Sequence, residues 1–114
     1  MASKAEVGEA LARLLARLDG NEAHLRSAIP GHKVLRCHVP DLDSSWYAVI
    51  NDGHVSRPTE RPPDDGRVDV TLQVASDDLV DLVEERVSFP SAFLSGKVRV
   101  DASLADLLRM RNLL

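Results

Sequence analysis

Cysteine is almost missing from this chain: Cys37 is the only one in 114 residues. A single thiol excludes a disulfide within the chain and removes any sign of an oxidising compartment. Aromatic side chains are scarce as well, at 4%: Trp46, Tyr47, Phe89 and Phe93. A platform for stacking bases needs more rings on one surface. Positive charge is in the minority, with 14 Lys and Arg against 18 Asp and Glu and a net charge of −4. This excludes a nucleic-acid binder that works by neutralising many phosphates. No apolar run approaches the roughly 18 residues needed to span a bilayer, so no integral membrane association is expected. The opening residues carry Glu6 and Glu9 and no long apolar stretch, unlike a secretory signal. Asn112-Leu113-Leu114 is not a peroxisomal address. A cytoplasmic location is the resulting expectation.

What is present is an ordinary globular composition, 44% hydrophobic and 28% charged. The length suits one domain over residues 1–114. Ser3 to Leu18 reads as a helix. Ser3 and Glu6 have capping-box spacing, and Val7, Leu11, Leu14, Leu15 and Leu18 recur on one face. Asn21 is placed to cap a second short helix that runs to Ile29. Lys33 to Val39 reads as a strand, with Leu35, Cys37 and Val39 on one side and Val34, Arg36 and His38 on the other. Trp46 to Ile50 is a second strand, and Asp52-Gly53 is a hairpin signal that returns the chain through His54 to Arg57. Pro58 to Gly66 holds three prolines and reads as a surface loop.

Arg67 to Val74 alternates apolar and polar residues, as a strand with one wet face should. Ser76 is the expected cap of an acidic helix whose inner stripe is Leu79, Leu82 and Val83. Phe89 to Ser95 is a short helix with Pro90 near its start and Gly96 past its end. Lys97 to Val100 is a fifth strand. Ser103 and Asp106 open a last helix with Leu104, Leu107 and Leu108 on one face. The order is α+β: a five-stranded, mostly antiparallel sheet with helices packed on one face.

Chemistry is thin. No G-x-S-x-G, P-loop, G-x-G-x-x-G or H-E-x-x-H is present. His24, His32, His38 and His54 show no metal-ligand spacing, and Cys37 and His38 point to opposite faces. Asp77 and Asp78 belong in the first turn of a helix, and Asp64-Asp65 in a turn. No catalytic residue, metal or cofactor is expected. Lys97, Arg99, Arg109 and Arg111 form a basic edge that favours anionic headgroups, or simply suits a helix C-terminus.

The run D-V-T-L-Q-V-A-S-D-D-L-V-D-L-V, Asp69 to Val83, followed by P-S-A-F-L-S-G-K-V-R-V, Pro90 to Val100, resembles the sterol carrier protein type 2 family. Asp78, Leu79 and Leu82 match that family's D-L-x-x-L helix. Ala92, Phe93, Gly96 and Lys97 match its A-F-x-x-G-K turn, and Trp46 to Val55 is similar to its early hairpin. The resemblance covers Gly31 to Leu108. Two turns depart from the pattern: Glu85-Arg86 stands where members often carry Gly, and Asp101-Ala102 replaces Gly-Asp. The chain stops soon after the last helix, so the longer tail that closes a tunnel in some members is expected to be missing.

The resemblance implies an apolar tunnel between sheet and helices. Its implied ligand is a hydrophobic small molecule: a fatty acid, acyl-CoA, phospholipid or sterol. The expected walls are Trp46, Ile50, Val70, Leu72, Leu79, Leu82, Val83, Phe89, Phe93, Leu104 and Leu107. An acyl chain would gain about 0.8 kcal/mol for each methylene removed from water. The alternative is a structural or dimerisation module of the same fold, with a closed core and a homodimer partner. An enzyme with a carboxylate base ranks last, because each acidic residue has a capping or surface role to fill.

Overall fold

The computed structural model describes residues 2–20 and 22–110. The expected Asn21 cap, Arg111 and the last residues therefore lie outside the described residues. The elements are α1 (Lys4–Asp19), α2 (Glu22–Ala28), β1 (His32–Val39), a 3-10 turn (Pro40–Leu42), β2 (Ser44–Asn51), β3 (His54–Val55) and β4 (Val70–Val74). They continue as α3 (Ser76–Val83), α4 (Phe89–Leu94), β5 (Val98–Asp101) and α5 (Leu104–Met110).

Helix α1 begins as its spacing predicts. Ser3 Oγ accepts from the Glu6 amide at 3.1 Å, and Glu6 Oε1 accepts from the Ser3 amide at 3.2 Å. Its stripe of Val7, Ala10, Leu11 and Leu15 is buried against one face of the sheet.

The sheet is open and mixed, in the order β3-β2-β1-β4-β5. β1 runs parallel to β4, and the other three pairings are antiparallel. Register sorts the side chains into two faces. Cys37 lies opposite Trp46 and Leu72, Leu35 opposite Ala48 and Val70, and Val74 opposite Val98. These residues form the inner face, under the helices, and all belong to or pack on one continuous apolar core. Arg36, His38, Ser45, Tyr47, Thr71, Gln73 and Arg99 fall on the outer face.

The fourth strand starts at Val70, not at the expected Arg67. The Val34 amide, which a backbone carbonyl would otherwise take, instead donates to Asp69 Oδ2 at 2.8 Å, while the Asp69 amide donates to Val34 O at 2.9 Å. The regular ladder begins only after this side-chain link. Burial pushes the Asp69 pKa up, but hydrogen bonds from Val34 and Arg67 outweigh it and hold the carboxyl below its usual value.

The start of α3 corrects a second expectation. Ala75 occupies the N-cap position without a side-chain cap bond, and Ser76 is the first helical residue. The cap comes from the 3-10 turn. Asp41 Oδ1 accepts from the Ser76 amide at 2.9 Å, and the fully buried Ser76 hydroxyl donates to Asp41 Oδ2. A local reading of sequence finds only local caps, and this one arrives from 35 residues away. The hydrogen bonds from Ser76 lower the Asp41 pKa. The cap is therefore at full strength above the ordinary carboxylate range near pH 4 and fades as pH falls through the lower folded-state value. We expect Asp41→Ala to lose about 1 kcal/mol at pH 7. Urea midpoints measured from pH 7 to pH 2 should converge for wild type and Asp41→Ala at the acid end.

At its other end, α3 stops in a Schellman turn. The Glu85 amide donates to Leu82 O at 3.2 Å and the Arg86 amide to Asp81 O at 2.9 Å. Glu85 has φ 62°, the left-handed conformation that glycine adopts without strain. This is the position where members of the family that the sequence resembles often have glycine. Glu85→Gly should raise stability by about 0.5 kcal/mol, readable as a higher denaturation midpoint. The other departing turn, Asp101-Ala102, has no positive φ and needs no glycine.

Helix α5 has the expected Ser103 cap, whose Oγ accepts from the Asp106 amide at 3.1 Å. It is rolled opposite to expectation. Asp106 is buried, 7% exposed, and pairs with Lys33 Nζ on the inner face of β1 at 3.4 Å. Leu104, Leu107 and Leu108 lie across the helix from Asp106 and stand exposed. The side of α5 that faces the core is thus the one carrying this ion pair and not the leucine stripe.

Candidate functional site

The inner face of the sheet is sealed unevenly. Under α1 and α2, Leu35, Cys37, Val39, Trp46, Ala48 and Ile50 are all buried. Toward the β5 edge the cover is thinner. Leu72 and Val100, paired in register across β4 and β5, are only partly buried against the core. Leu82, Val87 and Phe89 pack on the core and are also only partly buried.

The eleven expected wall residues divide accordingly. Trp46, Ile50, Val70, Leu79 and Val83 are buried in the continuous core. Leu72, Leu82 and Phe89 sit at its margin. Phe93, Leu104 and Leu107 lie at the surface, with Leu104 73% exposed. Buried strand and helix stripes are readable from period, but the exposed trio depends on how α4 and α5 roll, which period alone does not fix. Val100 and Val87 join the margin without having been picked out by sequence. Val100 was already visible as an apolar position on the fifth strand.

Two grooves open on the surface. One of about 610 Å³ opens along β4 and β5, lined by the outer-face residues Arg36, Thr71, Gln73, Arg99 and Asp101 together with Phe93, Val98 and Val100. Another of about 420 Å³ lies between α1 and the β3 edge, where Leu15, Ala16, Val55 and Pro58 meet.

The reactive groups are poorly placed for catalysis. Burial pushes the Cys37 thiol up to about 12, so it stays protonated and behaves as a small apolar side chain. Register brings together a pair the sequence did not reveal: His38 Nδ1 lies 2.9 Å from Ser45 Oγ on the outer face. Arg36 Nε also donates to that hydroxyl, at 3.2 Å. No carboxylate orients His38 among the described residues. No three His, Cys, Asp or Glu side chains are grouped to hold a metal among the described residues. Likewise, no described helix is long and apolar enough to cross a membrane.

Comparison with known proteins gave a consistent result. The chain matches the SCP-2 sterol transfer family over residues 9–114. Sterol carrier protein 2 from Yarrowia lipolytica, in its apo form, has a similar structure: TM-score 0.56, 19% identity, 90% of this chain and 89% of that chain. The palmitated SCP2L2 of Aedes aegypti is similar over 90% of this chain and 91% of that one, with TM-score 0.53 and 17% identity. A stereoselective inverting sec-alkylsulfatase from Pseudomonas sp. is matched over 77% of this chain, with TM-score 0.53 and 19% identity. This chain spans only 14% of that enzyme's length. No curated protein sequence matches. At these identities the structural likenesses establish the fold.

Proposed function

This chain belongs to the SCP-2 sterol transfer family, and from that premise we propose that it is a single-domain, non-catalytic lipid-binding or lipid-transfer protein. The ligand is an acyl chain or another hydrophobic small molecule of the fatty acid, acyl-CoA, phospholipid or sterol type. The observation that carries this reading is the thin cover over Leu72 and Val100. Leu72 and Val100 pair in register on the inner face yet are only partly buried, as are Leu82 and Phe89 on the helices.

Binding would occur by displacement. An acyl chain slides between the β4–β5 end of the inner face and the helices, and the exposed Phe93, Leu104 and Leu107 turn in over it, the two leucines by a roll of α5 that takes Asp106 off Lys33. The deeper candidate walls, Trp46, Ile50, Val70, Leu79 and Val83, would form the floor. Each methylene taken from water contributes about 0.8 kcal/mol, set against the cost of ordering the chain and reopening packed contacts. Ten methylenes give about 8 kcal/mol before those costs, so micromolar binding after about 4 kcal/mol is subtracted takes a chain of about 15 methylenes. A buried, protonated Cys37 suits the reducing cytoplasm, where we place the protein.

The test uses delipidated protein, a fluorescent fatty acid and native mass spectrometry of the protein as purified. We expect saturable binding at one site. Leu72→Arg and Leu82→Arg should weaken it tenfold or more, because each sets a charge against the ligand's apolar chain. Leu11→Ala, buried on α1 and not among the expected walls, should lower stability but leave affinity within about threefold of wild type. Absence of both titratable binding and co-purified lipid would sink the proposal.

A second reading, association with another copy of the chain, is favoured by the exposed apolar residues on α4 and α5: Leu94 is 85% exposed and Leu104 73%.

A further inference from the structure

Strand β5 ends the sheet. Among the described residues, no backbone bond joins Val98–Asp101 to any element except β4. Its other edge is therefore free to accept a strand. Proteins usually protect such an edge with lysine, proline or a bulge. This one follows directly on Lys97 and carries one charge of each sign, in V-R-V-D, Val98 to Asp101, so what it repels or accepts depends on how those charges are paired.

The spacing of those charges matters. Arg99 and Asp101 both point to the outer face, because each lies opposite an outer-face residue of β4: Gln73 and Thr71. Neither side chain has a hydrogen bond or ion pair with any described residue. If a second β5 is laid antiparallel about an axis through Val100, Arg99 falls opposite Asp101 of the other copy, and Asp101 opposite the other Arg99. Both pairs are opposite in charge, and Val100 meets its own copy on the inner face. No other centre along this four-residue strand pairs both charges. A four-residue ladder is small beside the roughly 800 Å² per partner of a stable interface. The rest is available at both ends of the strand. Phe93 and Leu94 precede it, and Leu104 and Leu108 follow it, all exposed.

We propose that β5 pairs antiparallel with β5 of a second copy, about a two-fold axis at Val100, joining two five-stranded sheets into one of ten strands. The contact is isologous, so it closes at the dimer and builds no filament. It does not depend on the lipid-binding reading, since it uses the strand's outer edge and the charges on the wet face. It also names the surface for the second reading above.

The experiment is sedimentation equilibrium of the full chain and of three variants: Arg99→Asp, Asp101→Arg and the double exchange R99D/D101R. Both positions are exposed, and thermal melts check folding. Wild type should dimerise at tens of micromolar. Each single variant sets two like-charge pairs face to face and should weaken the dimer tenfold or more. The double exchange restores both opposite pairs and should return within about threefold of wild type. The two single variants mixed in equal amounts should form a heterodimer, since one then carries only Asp and the other only Arg at these positions. A wild type that stays monomeric at 100 micromolar overturns the proposal, including one that binds anionic vesicles instead. So does a dimer indifferent to both single exchanges, or a double exchange that fails to restore association.

Discussion

Replacing Gly53 by alanine is expected to destabilise the fold by about 2–4 kcal/mol, a fall of about 10 °C or more in Tm. Two independent costs meet at this residue. Its φ is +86°, in the left-handed region that a Cβ makes unfavourable by about 1–2 kcal/mol. In addition, a Cβ there would lie 2.7 Å from the carbonyl oxygen of Glu22 and 2.8 Å from Glu22 Cγ. The first of these is backbone at the start of α2 and cannot swing aside. Relief would require the β2–β3 turn to separate from α2. There it would break the contacts of Arg26 with Asp52: a salt bridge to the carboxylate at 3.0 Å and a weak bond to the carbonyl at 3.4 Å. Gly66 provides the control. Its φ is +69° and nothing lies within 4 Å of a built Cβ, so Gly66→Ala should cost about 1 kcal/mol. Equal losses at the two sites, measured by urea unfolding, would show that the Glu22 contact does not matter.

The second large effect is expected at Trp46. Its side chain is 5% exposed on the inner face of β2, directly opposite Cys37 in register. Above it, α1 comes so close that a Cβ on Gly8 would stand 3.5 Å from indole Nε1. Trp46→Ala removes the largest side chain of the core and should cost about 3–5 kcal/mol, because the strand and helix framework cannot collapse into the space. Trp46→Phe should lose well under half of that. As the only tryptophan, Trp46 also reports on its own surroundings. Its emission should be blue-shifted in the native protein and should move to the red on unfolding in a single transition. Red-shifted native emission, or a loss below 1 kcal/mol for the alanine variant, would place the indole outside the core.

Legibility of the fold varied with the range of the interactions. The Ser3–Glu6 capping box, the Asp52-Gly53 turn and the Ser103 cap are satisfied within three residues, and each was readable from spacing. The same is true of the alternation that sends Leu35, Cys37 and Val39 inward. The start of β4 and the start of α3 were misread because their decisive partners are distant: Val34 for Asp69, and Asp41 for Ser76. Neither pairing leaves a periodic trace. The Ser45–His38 contact was invisible for the same reason, since it exists only once β1 and β2 are in register. In the candidate site, the buried stripe of α3 and the strand residues were legible, while the roles of Phe93, Leu104 and Leu107 were not. Apolar residues at helical spacing say that a face exists, but not whether it turns inward.

The sequence by itself therefore determined the elements, the two-sidedness of the sheet and the family pattern carried by Asp69 to Val100, because these follow from local period and capping. Only the tertiary structure decided the parallel placement of β1 beside β4, the long-range cap from Asp41 and the roll of α5. That roll keeps the buried Asp106 carboxylate beside its cationic partners Lys33 and Arg109, since a buried carboxylate must stay paired. Satisfying it leaves a leucine face to the solvent.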